Sequence, residues 1–173
     1  MLQYKIEQLQ ETKIPLNLVK EFLFKHIWEE YGLKYTPEYH KDIKYLNEFY
    51  INPKRNNFYI ATDTQNNKII GTLGVREYDA NCKNFPNSYC RQKTASLYRV
   101  FVDKNYRRKG VASNLVNVAE EFCYKKNFNE IYLHTQKFVN GVLSFWTNLD
   151  FQIRFDSNNS LQTVHMDKEI RNF

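Results

Sequence analysis

The stretch Leu97-Tyr98-Arg99-Val100-Phe101-Val102-Asp103-Lys104-Asn105-Tyr106-Arg107-Arg108-Lys109-Gly110-Val111-Ala112 is the most informative in the chain. It predicts a strand over 95–102, a turn carrying Lys104, Arg107, Arg108 and Lys109, and a helix over 110–126. On that helix Val111, Leu115, Val118 and Phe122 recur at helical spacing, backed by Ala119 and Cys123. A helix N-terminus leaves four main-chain N–H groups unpaired and carries about half a positive charge. Gly110 lets a bulky anion approach that backbone, and Ala112 keeps the first turn open. The arrangement is expected to cradle a phosphate or pyrophosphate. It lacks GxxxxGK[ST], which excludes a P-loop ATPase or kinase.

Working outward, Tyr4–Gln8 alternates as an edge strand. Thr12 and Pro15 announce a helix on which Leu16, Val19, Leu23, Ile27 and Tyr31 step by three or four, widened by Leu18, Phe22 and Trp28. Gly32 closes it. A second helix is predicted over 39–49, stopped by Asn52-Pro53. Strands over 58–61 and 68–75 are joined by a hairpin at 63–67, and a long loop follows over 79–93. Beyond the third helix the pattern gives a strand over 130–134, a helix over 140–148, and strands over 151–155 and 161–166. This order of about seven strands and four helices predicts a mixed α/β sheet in a single domain, 1–173.

The chain has 173 residues, 42% of them hydrophobic and 16% aromatic, which excludes a disordered polypeptide. Its apolar runs fall far short of the roughly 20 residues that span a bilayer, so no membrane partner is expected. The first ten residues alternate polar and apolar and carry Glu7, unlike a secretory leader, so a cytoplasmic protein is expected. Cys82, Cys90 and Cys123 show no CxxC spacing, which predicts free thiols and no metal site. Lys and Arg exceed Asp and Glu by 25 − 19 = 6. That excess suits an anionic partner without distinguishing nucleic acid, a phosphorylated cofactor or an acidic protein.

The segment Arg107-Arg108-Lys109-Gly110-Val111-Ala112 resembles the [RQ]-x-x-G-x-[GA] motif of the GNAT superfamily of acyl-CoA-dependent N-acetyltransferases. Leu133-His134-Thr135 followed by Phe145-Trp146-Thr147-Asn148-Leu149-Asp150-Phe151 resembles that family's second block, which ends F-Y-x-x-x-G-F. The resemblance implies a splayed central parallel pair, strand 97–102 against strand 130–134, and acetyl-CoA as acetyl donor. It implies that the main chain of Phe101 and Val102 pairs with pantetheine. The amides of Arg107, Arg108, Lys109, Gly110, Val111, Ala112 and Ser113 would then hold the pyrophosphate, with Asn140, Ser144 and Trp146 on the far wall. The implied reaction moves an acetyl group directly to a primary amine of a small molecule or peptide, in a monomer or homodimer. Two positions depart from the pattern. Trp146 stands where many relatives carry a tyrosine that protonates the departing thiolate, and indole cannot usefully give up its proton. Asp150 replaces the usual glycine, so the turn there is expected to differ.

An amine of pKa about 10.4 must lose its proton before attack, a cost of about 4.6 kcal/mol at pH 7. His134, Glu77 and Tyr98 are the candidate bases, directly or through water. Arg76 and Arg99 are candidates to bind a substrate carboxylate, or else to form salt bridges across the sheet. Two other classes stay open: a CoA-binding sensor in which Trp146 marks lost catalysis, and a basic nucleic-acid-binding module. No helix-turn-helix, zinc finger or aromatic RNA-binding motif supports the last, so nucleic acid is not the expected partner.

Overall fold

In the computed structural model, which describes residues 2–79 and 89–170, local pattern and tertiary packing agree over most elements. The strands are β1 (Tyr4–Gln8), β2 (Asn57–Asp63), β3 (Ile69–Glu77), β4 (Thr94–Val102), β5 (Glu130–Gln136), β6 (Gln152–Asp156) and β7 (Thr163–Glu169). The α-helices are α1 (Leu16–Tyr31), α2 (Pro37–Lys44), α3 (Val111–Lys125) and α4 (Val142–Thr147). Hydrogen bonding orders the strands β1-β2-β3-β4-β5-β7-β6, a mixed seven-stranded sheet with β1 at one edge. The part of the expected 79–93 loop at 80–88, with Cys82 and Pro86, lies outside the described residues. Cys90 and Cys123 are free thiols. No helix among the described residues is long and apolar enough to cross a membrane.

The chain divides into two compact units, Met1–Arg76 with Tyr98–Ala119, and Glu77–Leu97 with Glu120–Phe173. In the first unit, α1 buries Val19, Phe22, Leu23, His26 and Ile27, a stripe at helical spacing. These pack with Ile43, Leu46, Tyr50, Phe58, Ile60 and Phe101 in one core. Leu18 and Trp28, expected to widen the face, fall beyond this stripe and are exposed. His26 takes a buried place instead, its Nδ1 2.8 Å from the Phe22 carbonyl one turn earlier. Gly32 ends the helix in the left-handed conformation, φ 64°, and donates its N–H to Trp28 O.

The helix expected over 39–49 is instead two pieces. Helix α2 stops at Lys44, and Asn47–Ile51 forms a separate π-helical turn. The break serves packing: it buries Ile43, Leu46 and Tyr50 while the Tyr50 hydroxyl donates to Asp42 Oδ2 at 2.6 Å. The β2–β3 hairpin follows its turn chemistry. Asp63 Oδ1 accepts from the Gln65 N–H, and Asn67 takes φ 55°.

In the second unit β4 and β5 are parallel, in the register Thr94↔Glu130, Ala95↔Ile131 and Ser96↔Tyr132. That ladder is short, whereas β5 pairs antiparallel with β7 along its whole length, from Glu130↔Glu169 to Gln136↔Thr163. The central parallel pair implied by the family resemblance is therefore present. After α4, Asp150 adopts φ 66°, and the Phe151 N–H bonds back to Trp146 O at 3.1 Å. The turn therefore keeps the left-handed geometry a glycine would take, and the expectation of a different turn at Asp150 is corrected.

Candidate active site

In the first unit the second half of β4 leads directly into the basic turn. Arg99 sits inside the strand at φ 54°, a left-handed kink in an otherwise extended segment. The Asp103 N–H then bonds to Ile70 O at 2.9 Å, restoring the sheet. Lys104–Tyr106 make a single 3-10 turn, capped by the Asp103 side chain accepting from the Asn105 N–H. Burial pushes the Asp103 carboxyl up, but that bond and the charge of Lys25 outweigh it and hold it below the usual carboxylate value.

The turn does not present all its cations alike. Arg107 folds back, its Nε donating to Val102 O at 3.0 Å and its guanidinium pairing with Glu30. Lys109 reaches Asn105 O at 2.9 Å across the Tyr106 ring. The main chain is the more distinctive feature. Arg108 takes φ 60° and Gly110 φ 80°, with Lys109 between them outside the left-handed region. Alternation of this kind makes successive N–H groups converge on one point, a concavity suited to anions. The first bond of α3 runs from the Asn114 N–H to Gly110 O at 3.0 Å, so the N–H groups of Val111, Ala112 and Ser113 precede the helical ladder. A Cβ added at Gly110 would meet no atom within 4 Å, so the space beside that residue is open.

Both arginines proposed for substrate are in this unit. The Arg99 Nε and Nη2 donate to Asp42 Oδ2 and Oδ1 at 3.0 and 2.6 Å, and Nη2 also donates to Tyr39 O at 2.5 Å. Its guanidinium is thus engaged by α2, and not by a neighbouring strand. Arg76 lies over the rings of Phe49 and Tyr98, 4.8 and 4.7 Å from their centroids. Tyr98, a candidate base, is therefore stacked under a cation.

In the second unit Glu77 ends β3 with Arg91 Nε 3.4 Å from its Oε2. His134 is exposed on β5, opposite His165 in the β5–β7 register. His165 is buried between two hydroxyls, Tyr132 Oη at 2.7 Å from Nδ1 and Ser157 Oγ at 2.9 Å from Nε2. Desolvation lowers its pKa. Asn140 and Ser144 are exposed, whereas Trp146 is 5% exposed and packed edge-on against Phe145 and Phe151. The structure thus brings together the cradle residues 107–113, and separately Arg76 with Tyr98. It pairs Glu77 and His134 with different neighbours.

Sequence reasoning missed Asp42, Glu30 and His165. Asp42 precedes the apolar Ile43, and a carboxylate on a buried helix face signals a buried cation partner, but not which one.

A strand, a turn with two left-handed residues and a helix N-terminus are thus contiguous within an α/β fold. Comparison with known proteins makes the class specific: residues 20–151 match the acetyltransferase (GNAT) family, and the chain belongs to it. Human N-acetyltransferase 8 is 24% identical over 131 residues, covering 76% of this chain and 52% of that protein. The chain thus spans about half the length of that relative. A GNAT-family acetyltransferase from Staphylococcus aureus Mu50 superposes with a TM-score of 0.77 at 20% identity, covering 98% of this chain and 100% of that one. Spermidine N-acetyltransferase from Vibrio cholerae, solved with CoA and spermine, gives 0.69 at 16% identity, covering 97% and 96%.

Proposed function

We propose that the chain is an acetyl-CoA-dependent N-acetyltransferase that moves the acetyl group directly to a primary amine of a small molecule or peptide. The cradle carries this reading: left-handed Arg108 and Gly110, open space above Gly110, and the N–H groups that lead into α3. These features suit the pyrophosphate of coenzyme A. In this reading the amides from Arg107 to Ser113 hold the phosphates, and Phe101 and Val102 lie along the pantetheine. When bound, acetyl-CoA supplies the thioester carbonyl that the acceptor nitrogen attacks.

The protein's own work is to hold the acyl group beside the amine, where effective molarities reach roughly 10⁵ to 10⁸ M, and to take the ammonium proton. His134 is the favoured acceptor, because it is exposed on β5 and a neutral imidazole nitrogen can take a proton. Glu77, the alternative acceptor, is paired with Arg91. Tyr98, stacked under Arg76, is better suited to shaping the acceptor site, and Arg76 to a substrate carboxylate. A single acetyltransferase domain, a cytoplasmic setting, a monomeric or homodimeric state and no metal belong to the same proposal.

The test is calorimetric titration with CoA, followed by acetyl-CoA turnover against amines, amino acids, aminoglycosides and peptides, read as released thiol. Binding with turnover supports the proposal, and absence of CoA binding overturns it. Binding without turnover would favour a CoA-binding sensor, a reading supported by the enclosed indole of Trp146 where an acid would be needed.

A further inference from the structure

We propose that Asp42 is a positioning residue for acetyl transfer, acting through its ion pair with Arg99 to hold the left-handed kink of β4. The inference rests on the reading above, that Phe101 and Val102 lie along acetyl-CoA.

Arginine gains nothing by itself from φ 54°, so the kink persists only because its surroundings fix it. Two anchors do so. The guanidinium is gripped by both Asp42 oxygens and by the Tyr39 carbonyl, all from α2. The Arg99 carbonyl accepts from Thr72 Oγ1 of β3 at 2.8 Å. Asp42 is itself immobilised, buried and bonded by the Tyr50 hydroxyl at 2.6 Å, and Tyr50 is fully buried. The side chain and the main chain of Arg99 are thus pinned from opposite directions. The two residues next to the kink on its C-terminal side lead straight to Val102, whose carbonyl takes the Arg107 Nε bond. Without the carboxylate, the guanidinium would be left mostly desolvated, 18% exposed, with one carbonyl partner. It would then swing toward water and release β4 to an extended path. Phe101 and Val102 would change direction, while the Arg107–Ser113 cradle, built on its own turn, would remain.

Asp42→Asn is expected to raise the KM for acetyl-CoA at least tenfold, with the KM for the amine changing less than threefold. A merely structural loss would lower the folded fraction and kcat without moving KM. Glycine adopts φ 54° unaided, so adding Arg99→Gly to Asp42→Asn is expected to bring the acetyl-CoA KM back at least fivefold. An unchanged KM in Asp42→Asn, or no recovery in the double variant, overturns the inference. If Asp42→Asn does not fold, Asp42→Glu keeps the charge at a longer reach and is read the same way. A threefold or larger rise reversed by Arg99→Gly supports the inference, and no rise overturns it. Failure of the wild type to bind CoA would instead overturn the functional reading, and this inference with it.

Discussion

Asp42 on α2 and Arg99 on β4, 57 residues apart in sequence, form a bidentate ion pair with Nε–Oδ2 at 3.0 Å and Nη2–Oδ1 at 2.6 Å. Both side chains are largely buried, 7% and 18% exposed. Burial pushes the Asp42 carboxyl up, but the Arg99 hydrogen bonds and charge, with the Tyr50 hydroxyl, outweigh it and hold it below the usual value. Burial likewise opposes the Arg99 charge, and Asp42 more than compensates.

The pair predicts acid sensitivity with a definite sign. A carboxyl whose folded pKa lies below its unfolded value of about 4 stabilises fully above that pH, and the contribution is lost as pH falls through the folded value. Wild-type unfolding free energy is expected to drop as pH falls below about 4, with a shallower drop in Asp42→Asn. At pH 7 Asp42→Ala should cost about 3 kcal/mol, because it strands a buried guanidinium. Denaturant unfolding across pH checks both, and parallel curves for wild type and Asp42→Asn would contradict the assignment.

Gly110→Glu is expected to abolish CoA binding. It places bulk and negative charge over the open face of the cradle and strains a residue at φ 80°. Gly110→Ala adds the strain, about 1 kcal/mol, with little bulk, and should weaken binding far less. Calorimetry on folded protein separates the two. Unchanged affinity in Gly110→Glu would place the phosphates elsewhere.

Asp150 occupies a left-handed position, φ 66°, between α4 and β6. Glycine takes this conformation without steric cost but loses more chain entropy on folding. The steric relief should win narrowly, so Asp150→Gly is expected to stabilise the protein by up to about 1 kcal/mol. A lowered melting temperature would show that the carboxylate, and not the backbone, holds this turn.

These positions mark how far the sequence could be read. Strands, hairpin and α3 were legible because alternation, turn chemistry and the Gly110 signal are local. The basic turn and helix start over 107–113 were legible for the same reason: these residues are contiguous. The split of the second helix was not, since it follows from seating Tyr50 on Asp42 and Asp42 on Arg99, partners scattered along the chain. Arg99 was read as a substrate ligand or a cross-sheet bridge. Its partner proved to be a helix, and its positive φ inside a strand has no residue-type signature. His26 was hidden because histidine on an apolar stripe looks like a break until Phe22 O is seen to bind it.

Burial lowers the pKa of His165, so the unfolded chain takes up the proton first as pH falls. A group of this kind destabilises the fold progressively below about pH 6.5, and its contribution is constant above that value. His40 acts in the same direction, lowered by burial and then by the Arg99 charge. Melting temperature is expected to fall between pH 7 and pH 5, with a smaller fall in His165→Gln, whose amide retains a donor and an acceptor for the Tyr132 and Ser157 hydroxyls. An identical slope in that variant would assign the sensitivity to His40 or to the carboxylates.

The acceptor amine must be neutral to attack, so turnover is expected to rise with pH, and the shape of the rise identifies the base. With His134 as base, kcat/KM carries an inflection that disappears in His134→Gln. With Glu77 acting through water, Glu77→Gln removes the inflection instead. His134 is exposed on β5 and close to His165, ring centroids 6.2 Å apart. Burial keeps His165 neutral near pH 7, which spares His134 a like-charged neighbour when it takes the proton. His165 should therefore be felt only at low pH: its protonation would oppose that of His134 and flatten the acidic limb, an effect His165→Gln removes. Glu77 Oε2 lies 3.4 Å from Arg91 Nε. Arg91→Ala should leave the inflection in place if His134 is the base, and can move it only if Glu77 is. An inflection that survives both His134→Gln and Glu77→Gln would mean that the amine is deprotonated before it binds, and the rate would then track the amine's own ionisation.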